Sequence, residues 1–191
     1  MKINKINNDI IVINDVFHDS FFKQCQNISN QQLLKNIEIP LKWYDMTEIH
    51  LYSDICLMLL QIANGFFSCK YLGYESWTRI NNSTNNWHID KNEYKANVEK
   101  KLSLPEFSII YYFNVTGING GEFLISKDKI SNLLSVKELN EFDKKTDILS
   151  ILPESNMAIF FSKGLVHKAN FTKSGKRHNL IINPFYEYNS L

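Results

Sequence analysis

The hydrophobic pattern of this chain changes period about a third of the way along. Ile10 to Val16 is a β-branched run and predicts an early strand. Asp19 and Ser20 read as helix-start residues before Phe21, Phe22, Cys25 and Ile28, which recur at helical spacing. A second helix is predicted over Thr47 to Ala63, with Leu51, Ile55, Leu59 and Ile62 on its apolar stripe and Asn64-Gly65 as a left-handed C-cap. From Phe66 onward short apolar runs dominate. Strands are predicted at Phe66–Leu72, Glu75–Ile80, Ser108–Val115, Glu122–Ser126, Ile148–Leu152, Met157–Ser162, Leu165–Phe171 and Lys176–Phe185. Turns are predicted at Asn81–Asn86, Gly117–Gly121, Pro153–Asn156 and Lys173-Ser174-Gly175, and a short helix at Val136–Phe142. Trp87 to Asp90 opens a new segment. Many short strands joined by turns indicate a sandwich or barrel, here mainly β with flanking α. The two early helices then serve to pack on one sheet.

Composition narrows the class. A chain of 191 residues fits one domain, spanning 1–191, with a helix-bearing support region at 1–73 and a β core at 74–187. The apolar fraction is 44%, enough for a substantial core. Against 21 basic residues stand 20 acidic ones, a net charge of +1, which offers no electrostatic handle for nucleic acid or an anionic membrane. Cys25, Cys56 and Cys69 are odd in number and widely spaced, so neither a disulfide framework nor a zinc site is expected. No apolar run is long enough to span a bilayer, and the first residues have no signal-peptide core. The expectation is a cytoplasmic protein.

The chemistry concentrates in five positions. His88-Ile89-Asp90 is a His-x-Asp pair, and on a strand residues 88 and 90 share a face. His167 and Arg177 follow far downstream. Two histidines and one carboxylate form the facial ligand set that leaves open positions on a ferrous ion. An arginine adds a bidentate clamp for a carboxylate. Taken singly, each histidine has a plain structural reading. The order of the pieces gives them weight, and a closing hairpin over Leu165–Phe185 would put His167 and Arg177 on one inward face. Jelly-roll closure is the antiparallel arrangement that brings residue 88 beside residue 167.

The wider motif set resembles the prolyl 4-hydroxylase-like branch of the Fe(II)/2-oxoglutarate-dependent dioxygenases. It comprises WHID at 87–90, IIYYFN at 109–114, GGEF at 120–123, LPESNMAIFF at 152–161 and LVHKANFTKSGKRHNLIINPF at 165–185. The resemblance implies a double-stranded β-helix, or jelly roll, with His88, Asp90 and His167 as Fe(II) ligands and also the catalytic centre. It implies that Arg177 pairs with the far carboxylate of the cosubstrate 2-oxoglutarate. Tyr112 would support that carboxylate and Phe123 would line the pocket. With O2, the implied reaction hydroxylates a C–H bond and releases succinate and CO2, with ascorbate as a supporting reductant. A peptidyl proline is the first substrate the resemblance implies, and a free amino acid or other small metabolite the second. Nucleic acid and membrane are not expected partners.

The sequence departs from the pattern in three places. Thr84, Asn85 and Asn86 stand where a tyrosine commonly precedes His-x-Asp. Asn156 replaces a glycine before the MAIFF strand, and a last-strand tryptophan is replaced around Asn183. These changes bear on the substrate more than on the metal. His178, next to Arg177, should face the other way as a surface or supporting residue. Lys168 and Lys176 read as solvated charges, and Lys91–Lys101 as a solvated loop or helix, or a lid. The rival reading is a cupin-type metal-binding jelly roll without oxygenase activity, which leaves Arg177 and Tyr112 without a task. A metal-free structural jelly roll is the third.

Overall fold

The computed structural model describes residues 1–80, 86–93 and 95–187. Among them, ten strands form two antiparallel sheets. The large sheet has the order β1-β2-β8-β5-β10-β4-β3: β1 is Lys2–Lys5, β2 Ile10–Asn14, β3 Lys42–Asp45, β4 Gly73–Ile80, β5 Phe107–Gly120, β8 Met157–Ser162 and β10 Thr172–Phe185. The small sheet has the order β7-β6-β9, with β6 at Phe123–Lys129, β7 at Ile148–Ile151 and β9 at Leu165–Ala169. Helices α1 (Asp19–Lys35) and α2 (Ser53–Phe67) pack on the outer face of the large sheet, and a short α3 (Val136–Asn140) leads into a 3-10 turn at Glu141–Lys144. This is the jelly roll with helices on one sheet that the pattern predicts. No helix among the described residues is long and apolar enough to cross a membrane.

The period of two along each strand sorts the core into layers. On β5, Phe107, Ile109, Tyr111 and Phe113 join Ala158, Phe160, Leu180 and Ile182 against Ile55, Cys56, Leu59 and Leu60 of α2. Their neighbours Ile110, Tyr112, Met157, Ile159, Phe161 and Ile181 point the other way, to Phe123 and Ile125 of the small sheet. Each fully buried large apolar side chain contributes about 1.5–3 kcal/mol, so either layer can fix the strand register. A third cluster covers the outer face of the small sheet, with Trp87, Ile89, Phe142 and Val166 at its centre. Trp87 also donates its indole N–H to Asp143, 2.8 Å away. Since Trp87 and Ile89 are drawn outward, His88 and Asp90 must face the space between the sheets.

Several expectations are corrected. Phe66–Leu72 is not a strand. Helix α2 continues through it to Phe67, whose ring stacks on Phe107 at 5.3 Å. The helix ends at Ser68, at φ 50°, rather than at Asn64-Gly65, and it begins later than Thr47, leaving Leu51 exposed outside it. The predicted turns at Gly117–Gly121 and 173–175 lie largely within long paired strands. There β5 and β10 run together as far as Gly120 and Thr172, through irregularities on either side of Ser174. Gly175, at φ 88°, has the carbonyl oxygen of Gly117 only 2.4 Å from where a Cβ would stand. Strands β1 and β3, which the pattern does not predict, pair at the two edges of the large sheet.

The closing hairpin is corrected too. β9 lies in the small sheet and β10 in the large one, so His167 and Arg177 face each other across the interior. Asn156 adopts φ 62°, and its side chain bridges to the backbone of Phe17. The three cysteines are free. The predicted turn at Asn81–Asn86 falls outside the described residues except at Asn86. In the charged segment after Asp90, Asn92 is buried and its N–H bonds to the Ser103 carbonyl at 2.8 Å. A π-helical turn follows at Lys95–Glu99, and Lys95 pairs with Glu187.

Candidate metal centre and its pocket

Residue 88 meets residue 167 through an isolated antiparallel bridge, with N–H to carbonyl distances of 3.0 and 2.9 Å in the two directions. The segment carrying His-x-Asp thereby lies along the open edge of the small sheet beside β9. This closure places both imidazoles on one side of Asp90. His88 Nε2 lies 4.0 Å from one carboxylate oxygen and His167 Nε2 lies 3.6 Å from the other. All three ligand atoms fall within 4.8 Å of one another, so the group could hold a metal ion.

The hydrogen bonds around the three side chains prepare them for that task. His88 Nδ1 is 2.8 Å from the Asn86 carbonyl, and His167 Nδ1 is 2.9 Å from the Leu165 carbonyl. A carbonyl only accepts, so each Nδ1 carries the proton and each Nε2 keeps its lone pair for the centre. Burial, reinforced by the nearby His88, pushes His167 down to about 4, which keeps it neutral at pH 7 despite the opposing pull of Asp90. Asp90 is also buried, which by itself raises its pKa. The two histidines and hydrogen bonds from Ser108 and Asn183 outweigh that and hold the carboxyl below its ordinary range. Ser108 donates to Asp90 Oδ2 at 2.6 Å. Two neutral imidazole nitrogens and an ionised carboxylate suit a first-row divalent metal with open positions.

A narrow pocket runs inward from this group, lined by Tyr112, Phe123, Arg177, Asn179 and Ile181 among others. Arg177 is 4% exposed and projects from β10. Its Nη1 donates to the Gly121 carbonyl at 2.7 Å, which anchors one arm of the guanidinium. Gly121 sits at φ 80°, and a Cβ there would come 2.8 Å from Thr172 Oγ1 and 3.5 Å from Arg177 Nη1. The Thr172 hydroxyl is buried without a hydrogen-bond partner. A fixed cation beside an unsatisfied hydroxyl suits a carboxylate at this end of the pocket. Burial pushes Tyr112 up to about 12, against the lowering influence of Arg177, so its hydroxyl keeps its proton. The ring of Phe123 lies 5.4 Å from that of His167 and 5.5 Å from that of Phe161.

No protein-family model matches the sequence, and no curated protein matches it. Solved structures do. A prolyl-4-hydroxylase from Pseudomonas putida superposes with a TM-score of 0.64 at 10% identity, covering 94% of this chain and 93% of that one. HygX from Streptomyces hygroscopicus, with nickel and 2-oxoglutarate bound, gives 0.63 at 13% identity, over 96% of this chain and 85% of that one. The viral collagen prolyl hydroxylase vCPH from Paramecium Bursaria Chlorella virus-1 gives 0.58 at 16% identity, over 94% and 90%. The chain shares the fold of these structures, a double-stranded β-helix.

Within that fold, all six residues singled out from the sequence line one pocket: His88, Asp90, His167, Arg177, Tyr112 and Phe123. His178 is corrected. It is fully buried on the helix side of the large sheet, with Nδ1 2.6 Å from Ser29 Oγ of α1. Lys168 is engaged, donating to Asp143 at 2.5 Å and lying over the Trp87 ring, while Lys176 is exposed. Ser108, Asn179, Thr172 and Trp77 were missed. Ser108 and Asn179 had a signal, because each lies an even number of residues from an identified neighbour on its strand, Tyr112 and Arg177. Thr172 had none, since its proximity to Arg177 depends on the irregular end of the β5–β10 pair.

Proposed function

We propose that this protein is an Fe(II)- and 2-oxoglutarate-dependent dioxygenase that hydroxylates a C–H bond. The observation that carries the proposal is the alignment of two features in one pocket. His88, Asp90 and His167 converge at its mouth, and Arg177 stands at its inner wall. The likeness to HygX, whose structure holds nickel and 2-oxoglutarate, supports the reading. When bound, Fe(II) with 2-oxoglutarate and O2 supplies the oxidising power, and the cosubstrate leaves as succinate and CO2.

The protein's own residues do the rest. His88 and His167 present Nε2 lone pairs that their Nδ1–H bonds keep aimed, and Asp90 contributes the anion. Arg177 receives the far carboxylate of the cosubstrate, with the Tyr112 and Thr172 hydroxyls as further donors. Phe123, Ile110 and Ile181 line the passage and keep water from it. The substrate class is a peptide or an amino-acid-like small molecule, with a prolyl ring first by resemblance; the likeness to two prolyl hydroxylases supports that choice. The test is to load the protein anaerobically with iron, add 2-oxoglutarate, admit oxygen and measure succinate. Succinate above the iron-free control is expected, and more with a substrate present. Absence of both succinate and 2-oxoglutarate binding sinks the reading.

A further inference from the structure

Trp77 and Arg79 stand where two cavities meet. The inner one is the pocket that ends at Arg177, and the outer one opens beside the metal centre. Four residues line both: Trp77, Arg79, His88 and Asp90. A molecule that reaches the metal centre from the outer cavity therefore passes Arg79. Strands β4 and β10 build this junction in register. Arg79 is paired with Asn179 and Trp77 with Ile181, and all four side chains look into the inner pocket.

The polar groups of the junction can donate. Asn179 is 7% exposed and makes no side-chain hydrogen bond to any described residue. With no partner to fix it, its amide can turn its NH2 to an incoming acceptor. A buried amide without a partner is unfavourable, and a ligand that bonds to it relieves this. Arg79 is half-exposed. Its Nη1 lies 3.2 Å from Glu38, whose other oxygen accepts the Ile80 N–H at 2.6 Å. That contact engages one guanidinium nitrogen, and an ion pair between groups this exposed holds weakly. The rest of the fork is open to a second acceptor.

A carboxylate satisfies an arginine and an amide together. Charge separates substrate from cosubstrate. In the oxygenase reading, the ferrous ion and Arg177 together balance Asp90 and the two carboxylates of 2-oxoglutarate. Arg79 then remains for a further anion. Lys91, at the outer rim, is engaged by Glu93 at 2.7 Å. Glu75 is on the same face of β4 but four residues from Arg79, about 13 Å along the strand.

We propose that the substrate carries a free carboxylate, received by Arg79 and Asn179 beside the Trp77 ring at the mouth of the metal pocket. The proposal rests on the oxygenase reading for the metal centre and its cosubstrate. It selects a free amino acid, another small acid or the C-terminal residue of a peptide over an internal prolyl residue, whose carbonyl belongs to an uncharged amide.

Saturation-transfer NMR tests it on the full chain loaded with zinc and saturated with 2-oxoglutarate, so that Arg177 is occupied. L-Proline, N-acetyl-L-proline and benzoate stand for an amino acid, a peptide terminus and a plain acid, each paired with its carboxamide. At least one acid should bind at least ten-fold more tightly than its amide. Arg79→Gln should cut that preference to under two-fold, and Asn179→Ala should weaken the acid at least three-fold. The affinity for 2-oxoglutarate should stay within two-fold in Arg79→Gln. Arg79 is half-exposed, so its replacement spares the core, and the paired comparison on the unaltered protein holds even where Asn179→Ala folds poorly. Equal binding of acids and amides, binding of neither, or a preference that Arg79→Gln leaves intact would overturn the proposal. So would a ten-fold loss of 2-oxoglutarate affinity in Arg79→Gln, which would assign Arg79 to the cosubstrate. The pairs are also titrated without 2-oxoglutarate. An Arg79-dependent acid preference in a protein that binds no 2-oxoglutarate would refute the oxygenase reading alone. Binding of 2-oxoglutarate without any acid preference would refute only the carboxylate site.

Discussion

Replacing Ser108 by Ala removes one hydroxyl and leaves every proposed metal ligand in place. In the native protein that hydroxyl is 2.6 Å from Asp90 Oδ2, and Ser108 is 1% exposed. A hydrogen bond to a charged group contributes about 1.5–3 kcal/mol. Water cannot readily take over at so enclosed a position, and alanine leaves a gap smaller than a water molecule. Part of the loss falls on folding, because Ser108 helps hold the Asp90 carboxyl below its ordinary range. The rest falls on metal binding, since the freed carboxylate can rotate away from His88 and His167. Loss of a residue that orients a ligand costs roughly 10–100-fold in metal affinity, which corresponds to about 1.4–2.7 kcal/mol. Calorimetric titration with Co(II) under argon measures this directly, with urea unfolding of the metal-free protein as the companion measurement. We expect a ten-fold or greater rise in Kd with the binding stoichiometry unchanged. A folded Ser108→Ala protein that binds Co(II) within two-fold of the native affinity would refute the orienting role.

Four further outcomes are expected. Arg177→Ala should raise the 2-oxoglutarate requirement at least about ten-fold, read as KM in a succinate assay; an unchanged KM would mean that the clamp lies elsewhere. Co(II) at one hundred times its Kd should stabilise the protein by about 2.7 kcal/mol, and His167→Ala should abolish that gain in a thermal melt. Gly175→Ala forces a Cβ against the Gly117 carbonyl at a positive φ, so about 1–3 kcal/mol of stability should be lost, again visible as a lower Tm. Burial pushes His178 down to about 4 from 6.5, only partly offset by Glu38. Between these values the unfolded chain binds a proton that the folded chain does not, so stability falls as pH drops from 6.5 towards 4, by up to about 3 kcal/mol. Urea unfolding of His178→Leu should show a shallower acid slope than the native protein, and equal slopes would count against this account.

The parts of the fold legible in the sequence are those where the local period and the tertiary environment agree. SIIYYFNV alternates between two buried layers and reads directly as the central strand β5. His88 and Asp90 were legible for the same reason: Trp87 and Ile89 between them are apolar and claim the opposite face. What could not be read was set by long-range contacts. The last turn of α2 is one case, because Phe67 is held helical by stacking on Phe107, forty residues away in sequence. The assignment of β9 and β10 to different sheets is another. Two strands joined by a short connection usually pair, and the rule fails here because β10 is already flanked by β4 and β5. Helix α1 covers His178 through Ser29, a long-range contact that the strand pattern, which left this residue at the surface or in a supporting role, does not contain.

This division between sheets bears on how the site works. Asp90 is oriented from the large sheet by Ser108 of β5, while His88 and His167 are aligned by the single bridge that closes the small sheet. The candidate centre therefore sits on a seam, and its geometry depends on how the two sheets are spaced. That spacing is fixed by the shared layer of Ile110, Tyr112, Phe123, Phe161 and Ile181, of which all but Phe161 also wall the pocket towards Arg177. Close-packed layers of this kind resist small shifts, because each displacement loses many contacts at once. Along β10 every second residue then serves the interior in turn: Arg177 at the inner wall, Asn179 and Ile181 along the passage, and Asn183 against Asp90. A single strand thus ties the Arg177 end of the pocket to the Asp90 side of the candidate centre, and a one-residue slip of its register would turn all four side chains outward together.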